Sequence, residues 1–382
     1  MELDIEKIFR DIDCLEEKYF EFWKEICNIE TPSGDEKALN HLADYIQHFA
    51  LSEGFEVIRT PFKACGDFLT IDMNSGAEKG YLFLAHMDTV HLKGKFGYPP
   101  VTIEGNIMRG PGVIDCKGGI AIALLTMHVL KTNGYDKHLR LILTSDEEVS
   151  NCIGAEKEML FFSEYGTGFQ AALNCEVAKT GEAVVSRKGI VRVKINITGK
   201  PAHSGIDYFS GASAIREAAH KIIALEAKSQ KDGMTYNCGI IEGGETINIV
   251  PEKCSISVDV RVNTIEEMNL AYQVLQEVTE QSFIEGSKSE LEHISKRMPM
   301  LRIKETEELF EKIRKTSIMH GFGDLTPIES GGGSDSSYTQ ALGVPSICAV
   351  GACGDYCHTI NEYAEIDSLV KRAKLLAATT IN

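Results

Sequence analysis

The chain has 382 residues, 43% of them hydrophobic and 25% charged, with a formal charge of -17. That length suffices for two domains, each with its own core. The acidic balance argues against nucleic acid or an anionic membrane surface as a partner, because both recruit clustered Lys and Arg. The opening stretch MELDIEKIFRDIDCLEE is acidic and amphipathic, unlike a secretory leader. The most apolar stretch, GGIAIALLTMHVL at 118–130, is too short to span a bilayer. Eleven cysteines without C-x-x-C spacing fit a reducing compartment, so a cytoplasmic location is expected.

Two helices are predicted over the first fifty residues, IEKIFRDIDCLEEKYFEFWKEICNI and DEKALNHLADYIQHFALSEG, broken by the turn TPSG. GYLFLAH (80–86) reads as a buried strand, GGIAIALLTMHVLKTNG as a buried helix and LRLILTS (139–145) as another strand. That βαβ unit points to a parallel, doubly wound α/β sheet. From residue 191 the texture changes. VRVKINITG and CSISVDVRV (254–262) alternate as half-exposed strands do, with the helix GASAIREAAHKIIALEAKSQ between them. A helix over 264–283 and a weak strand near 291–298 complete an α+β block. The chain then returns to helix in ETEELFEKIRKTSIMHG, a glycine-rich loop ESGGGSDSSY and an apolar strand PSICAVG. The expected organisation is a discontinuous α/β domain over 1–190 and 301–382, interrupted by an α+β domain over 191–300.

The stretch LILTSDEEVS at 141–150 sets Glu147 and Glu148 side by side at a strand end. Buried charge is costly, so such a pair needs water, a cation or a catalytic task. Ligands in open α/β sheets gather beyond the carboxyl ends of strands. His86 in AHMDTVH falls at such an end, with Asp88 two residues on. Asp115 in RGPGVIDCKGG precedes the buried helix, Glu176 in NCEVA follows an apolar run, and CGDYCHTINEY offers His358. Singly, each has an ordinary reading as a cap, a turn residue or a core histidine. Together, two His and three carboxylates suit two divalent ions that share Asp115. Asp88 is placed to accept the other ring N–H of His86. Adjacent side chains at a strand end diverge, so one glutamate can hold metal while its neighbour faces the metal-bound water as a base. The thiols of CGDYCH are a further possible ligand source, although small buried hydrophobes are their commoner role.

The motifs HMDTV, GPGVIDCKGG, SDEE, GKPAHSG and GGGSD, in that order, resemble the dizinc peptidase family of glutamate carboxypeptidase, acetylornithine deacetylase, succinyl-diaminopimelate desuccinylase, aminoacylase and peptidase T. The resemblance runs from about residue 20 to the C-terminus. It implies a zinc-peptidase-like catalytic domain and an inserted lid or dimerisation domain. It also implies that His86, Asp115 and Glu176 bind one zinc, and Asp115, Glu148 and His358 the other. Glu147 then becomes the general base and Asp88 the partner of His86. Within the insertion it assigns His203 to the oxyanion, Asn248 to substrate binding and Arg261 to a substrate carboxylate. Gly331, Gly332 and Gly333 line the pocket. Glu176, rather than Asp, at its position favours carboxypeptidase-like or deacetylase-like members. The expectation is a hydrolase of small peptides or N-acyl amino acids with a free carboxylate, holding two zinc ions per subunit, with cobalt or manganese also compatible. It is expected to be a homodimer through the inserted domain, without nucleic-acid or membrane partners. An N-acyl amino acid deacylase, a tripeptide aminopeptidase and an inactive binding relative remain open as alternatives. Arg187 and Lys188 have no assigned role.

Overall fold

The computed structural model describes residues 3–149 and 154–382; Met1, Glu2, Ser150 at the end of LILTSDEEVS, and Cys152 lie outside the described residues. The chain forms two compact units. One comprises residues 1–186, 302–330 and 334–382, the other 187–301 together with 331–333.

The larger unit is built on a six-stranded sheet. Its order is Glu56–Thr60, Phe68–Met73, His138–Thr144, Lys79–His86, Ala171–Asn174 and Ser346–Ile347. The last four strands run parallel, as βαβ connections require. The first two are antiparallel additions at one edge that the sequence reading did not single out. Alternate residues of each central strand enter different cores, so the sheet is covered on both faces. Tyr81, Phe83, Leu139, Leu141 and Leu143 pack with the helices Ile5–Asn28, Lys117–Thr132 and Ser368–Ile381. Leu82, Leu84 and Ile142 instead meet Phe161, Phe162 and Tyr338.

Register brings the carboxyl ends of the central strands level. His86 lies opposite Thr144, and Leu84 opposite Asn174, so the residues that follow each strand emerge along one edge. The helices are anchored locally. Asp4 and Asp35 accept from the backbone N–H of Lys7 and Ala38 at 3.1 Å, capping the first two helices. Trp23, fully buried on the first helix, donates its indole N–H to the Val113 carbonyl at 3.0 Å, two residues before Asp115.

The smaller unit is an antiparallel four-stranded sheet, ordered Thr235–Gly243, Lys253–Val262, Gly189–Thr198, Lys288–Arg297. Val191, Val193 and Ile195 alternate into its core with Ile256, Val258 and Val260, beneath the helices Ala214–Glu226 and Ile265–Glu280. The edge strand Thr235–Gly243 escapes the sequence reading because its exposed residues and its glycines blur the alternation. Among the described residues, no helix is long and apolar enough to cross a membrane.

One contact ties the fold to the cluster beyond the strands. Gly119, in the first turn of the buried helix, packs directly on the Cys175 backbone, and a Cβ there would clash with the Cys175 carbonyl. Gly119→Ala must therefore displace either the helix or the strand end before Glu176. Chemical denaturation should show destabilisation near the upper end of about 1–3 kcal/mol, the range for overpacked cores. An unchanged midpoint would show that the backbones can separate without cost.

Candidate metal centre

Each cluster residue sits where an element ends. His86 closes its strand, Asp115 precedes the helix Lys117–Thr132, and Glu147 and Glu148 follow the strand His138–Thr144. Glu176 lies two residues past Asn174, and His358 occupies a turn with φ of 65°. Asp115 lies between the two imidazoles. Its Oδ1 is 3.1 Å from His86 Nε2, and its Oδ2 is 3.2 Å from His358 Nε2. Glu148 Oε2 also lies 3.2 Å from His358 Nε2, and Glu176 Oε1 lies 3.8 Å from His86 Nε2. Among the described residues, two groups have ligand atoms mutually within 4.8 Å: His86, Asp115 and Glu148, and His86, Glu147 and Glu176. Glu147 therefore stands within the same 4.8 Å of His86 as Glu176 does in its group.

Asp88 does more than face His86. The His86 Nδ1 atom is nearest the Asp88 main-chain carbonyl, at 3.0 Å, and lies 3.3 Å from its carboxylate. The carboxylate accepts from the backbone N–H groups of Glu147 (3.1 Å) and Glu148 (3.2 Å), and from the Ser33 hydroxyl at 2.7 Å. Ser33 belongs to the TPSG turn, which is bridged to Thr89. Glu362 is fully buried and equally organising. It accepts from the backbone N–H of Gly112, Ile114 and Asp115 at 3.0–3.3 Å and from His91 Nε2 at 2.5 Å. Sequence reasoning missed Ser33 and Glu362; the one signal for Glu362 is its position four residues after His358.

The electrostatics match a cation site. Burial, with Asp115 beside it, pushes the Glu148 carboxyl up to about 8. Hydrogen bonds to Asp115 and Glu148 push the His358 imidazole up to about 11. Burial opposes ionisation of Asp115, yet His358 and His86 hold its carboxyl well below the ordinary range. Among the described residues, neither Asp115 nor Glu148 has a Lys or Arg within ion-pair distance, and the imidazole of His358 is the basic group beside both. A buried imidazole, His86, and an exposed one, His358, converging with carboxylates in this way fit divalent metal ions. The cysteines of CGDYCH do not join them. Cys353 is buried against Arg372, and Cys357 belongs to neither group.

The remaining predicted residues lie in the smaller unit. His203 is exposed and forms an isolated antiparallel bridge with Ile249, while the Asn248 carbonyl accepts from Ser204 N at 3.0 Å. His203 Nδ1 accepts from Gly205 N at 3.1 Å, so the ring proton sits on Nε2. Arg261 donates to Asp259 at 2.6 Å, and its Nη1 lies 3.5 Å from the Gly331 carbonyl. Arg187 donates to the Gly333 carbonyl at 3.0 Å, holding the glycine loop, and Lys188 to the Gly233 carbonyl at 2.9 Å.

An α/β sheet whose carboxyl edge gathers two imidazoles around one carboxylate, in a chain with an inserted α+β unit, has the form of a metallopeptidase or related amidohydrolase. The chain belongs to Peptidase family M20/M25/M40, whose family model matches residues 82–382, and it is an enzyme of that hydrolase family. It is 26% identical over 365 residues to carboxypeptidase G2 of Pseudomonas sp. (strain RS-16), covering 93% of this chain and 86% of the relative. It is 30% identical over 307 residues to the protein YqjE of Bacillus subtilis (strain 168), covering 78% and 79%. Among solved structures it shares its fold with the aminopeptidase PepT of Bacillus cereus ATCC 10987, at a TM-score of 0.77 and 23% identity, covering 96% of this chain and 98% of that one.

Metal binding should expel protons. Burial raises the Glu148 carboxyl and its carboxylate neighbours raise the His358 imidazole, so both lean toward protonation and must be deprotonated to coordinate a cation. Calorimetric titration with zinc in buffers of different ionisation enthalpy should detect net proton release at pH 7. Apparent affinity should fall as pH falls. Binding without proton release would place the ion elsewhere.

Proposed function

We propose that the chain is a dinuclear zinc-dependent hydrolase of carboxypeptidase type, cleaving small peptides or N-acyl amino acids that carry a free carboxylate. The observation that carries this reading is the two-sided Asp115 carboxylate, 3.1 Å from His86 and 3.2 Å from His358. On this reading His86, Asp115 and Glu176 hold one ion, and Asp115, Glu148 and His358 the other. When bound, such ions polarise the scissile carbonyl and make water more acidic.

The protein's own groups do the rest. Glu147 takes the proton of the attacking water and returns it to the leaving nitrogen. Asp88, gripping the backbone of both glutamates, fixes their relative positions. His203, with its proton on Nε2, donates to the oxyanion. Arg261, steadied by Asp259, offers its remaining N–H groups to the substrate carboxylate, with Asn248 and the Gly331–Gly333 loop lining the pocket. A homodimer through the 187–301 unit and a cytoplasmic location complete the reading. The similarity to carboxypeptidase G2 and the glutamate at position 176 support a carboxypeptidase over a tripeptidase.

The two adjacent glutamates should separate by phenotype. Glu147→Gln should keep its metal while turnover drops roughly 10²- to 10⁴-fold, the usual contribution of a general base. Glu148→Gln should lose metal instead. Loss of metal in Glu147→Gln, measured by elemental analysis, would exchange their roles.

The smaller unit should divide turnover from recognition. His203→Ala should lower kcat by about a hundredfold or more with metal content intact, as loss of an oxyanion donor does. Arg261→Lys should raise KM for free-acid substrates far more than it changes kcat, because it keeps the charge but loses the fork. Equal rates on the free-acid and amide forms of one wild-type substrate would remove Arg261 from that role.

A further inference from the structure

A cavity of about 460 Å³ in the larger unit has no established role, and none of its lining residues belongs to the Asp115 cluster. Its wall includes Thr180, Phe322, Cys353, Glu365, Lys371 and Arg372. Arg372 is the unusual member. It is only 5% exposed, yet among the described residues no carboxylate lies within ion-pair distance of its guanidinium. Its Nε and Nη2 donate to the Cys353 sulfur at 3.3 and 3.2 Å, and Nη2 also donates to the Lys179 carbonyl at 3.0 Å. Nη1 has no protein acceptor among the described residues. A thiol is a weak acceptor, and a buried guanidinium without a counter-charge is costly, so the site is electrostatically incomplete.

The wall offers what an anion needs. Lys371 brings a second cation, although it also pairs with Asp367 at 2.6 Å. The Thr180 hydroxyl adds a donor at an exposed position. Glu365 is the one opposing charge among the wall residues named, and it forms no ion pair with Arg372.

We propose that this cavity binds a small oxyanion, anchored by Arg372. Phosphate and short carboxylates share the required chemistry, since both accept from the planar fork of an arginine. The site is tied to the metal centre through the backbone. Lys179 follows Glu176 by three residues, Cys353 precedes His358 by five, and the two segments are bridged at Ala178 and Cys353. Gly351 N donates to the Glu176 carbonyl at 3.0 Å along the same seam. An anion that draws on Arg372 therefore acts on the two segments that carry Glu176 and His358.

The test is anion binding to the full chain, which does not depend on the hydrolase reading. Calorimetry and thermal unfolding with sodium phosphate, sulfate and succinate should each be compared with chloride at matched ionic strength. Saturable binding is expected, with phosphate and sulfate ahead of succinate if the natural ligand is a phosphoryl group, and the reverse if it is a carboxylate. His86→Ala should retain the binding, which separates this cavity from the metal centre. Thr180→Glu sets a carboxylate at an exposed wall position without disturbing the core, and should weaken binding roughly tenfold or more. Arg372→Gln, checked by circular dichroism for folding, should abolish it. A non-saturating rise in Tm that is equal in Thr180→Glu is only the general exclusion effect of such salts and would overturn the proposal. Loss of binding in His86→Ala would assign the anion to the metal centre. Absence of saturable binding, with Cys353 alkylated rapidly at neutral pH, would make its thiolate the counter-charge and likewise end the proposal.

Discussion

Asp115 holds the centre together because its carboxylate is engaged on both sides. One oxygen faces His86 and the other His358, and these two histidines lie more than 270 residues apart in the chain. A carboxylate with two lone-pair edges can be shared in this way, whereas an amide would present a donor to one imidazole and lose the symmetry. The requirement propagates outward. Asp115 must be held at the mouth of a buried helix, the strand end at His86 must be level with those before Glu147 and Glu176, and the turn at His358 must fold back over all of them.

That arrangement concentrates acid. Asp88, Asp115, Glu147 and Glu176 are all at least nine-tenths buried, which in an apolar interior would drive some of them to hold protons. Two devices lessen the cost without cations. Asp88 accepts from two backbone N–H groups and a hydroxyl, and Glu362 from three backbone N–H groups and His91. Each of these carboxylates has its acceptor oxygens satisfied, and each also immobilises a segment that carries a cluster residue. What remains unmatched is centred on Glu148 and His358, where on the proposed reading a cation does what neither device can.

The cluster residues are legible in the sequence because they are unusual residue types at the ends of apolar runs, and the parallel register aligns those ends. The turn TPSG reads as punctuation, yet it delivers Ser33 to Asp88. Glu362 looks like an ordinary acid in NEY. Both act on backbone N–H groups or on another carboxylate, and no residue pattern announces such partners. The antiparallel edge strands and Thr235–Gly243 are hidden for a different reason. Glu56–Thr60 and Thr235–Gly243 are edge strands with one neighbour each, so their alternation is only half enforced, whereas Phe68–Met73 is buried on both faces and shows no alternation to read. Gly331–Gly333 group with the smaller unit rather than with the loop's flanks because Arg187 and Arg261 face their carbonyls, a long-range contact that composition cannot reveal.

The division into two units separates what can vary from what cannot. A change at Asp88, Glu362 or Gly119 disturbs backbone segments that serve several cluster residues together, so its effects cannot be confined to one substrate. Arg261, Arg187 and His203 are held instead by contacts inside the smaller unit, through Asp259, the glycine carbonyls and Gly205. Replacing one of them leaves every hydrogen bond around Asp115 intact. On the proposed reading, new acyl or side-chain preferences arise by altering the smaller unit and the glycine loop, while the hydrolytic chemistry stays fixed by the sheet edge. On that reading, relatives named carboxypeptidase, desuccinylase and deacetylase keep one hydrolytic site and differ in the unit that recognises the substrate.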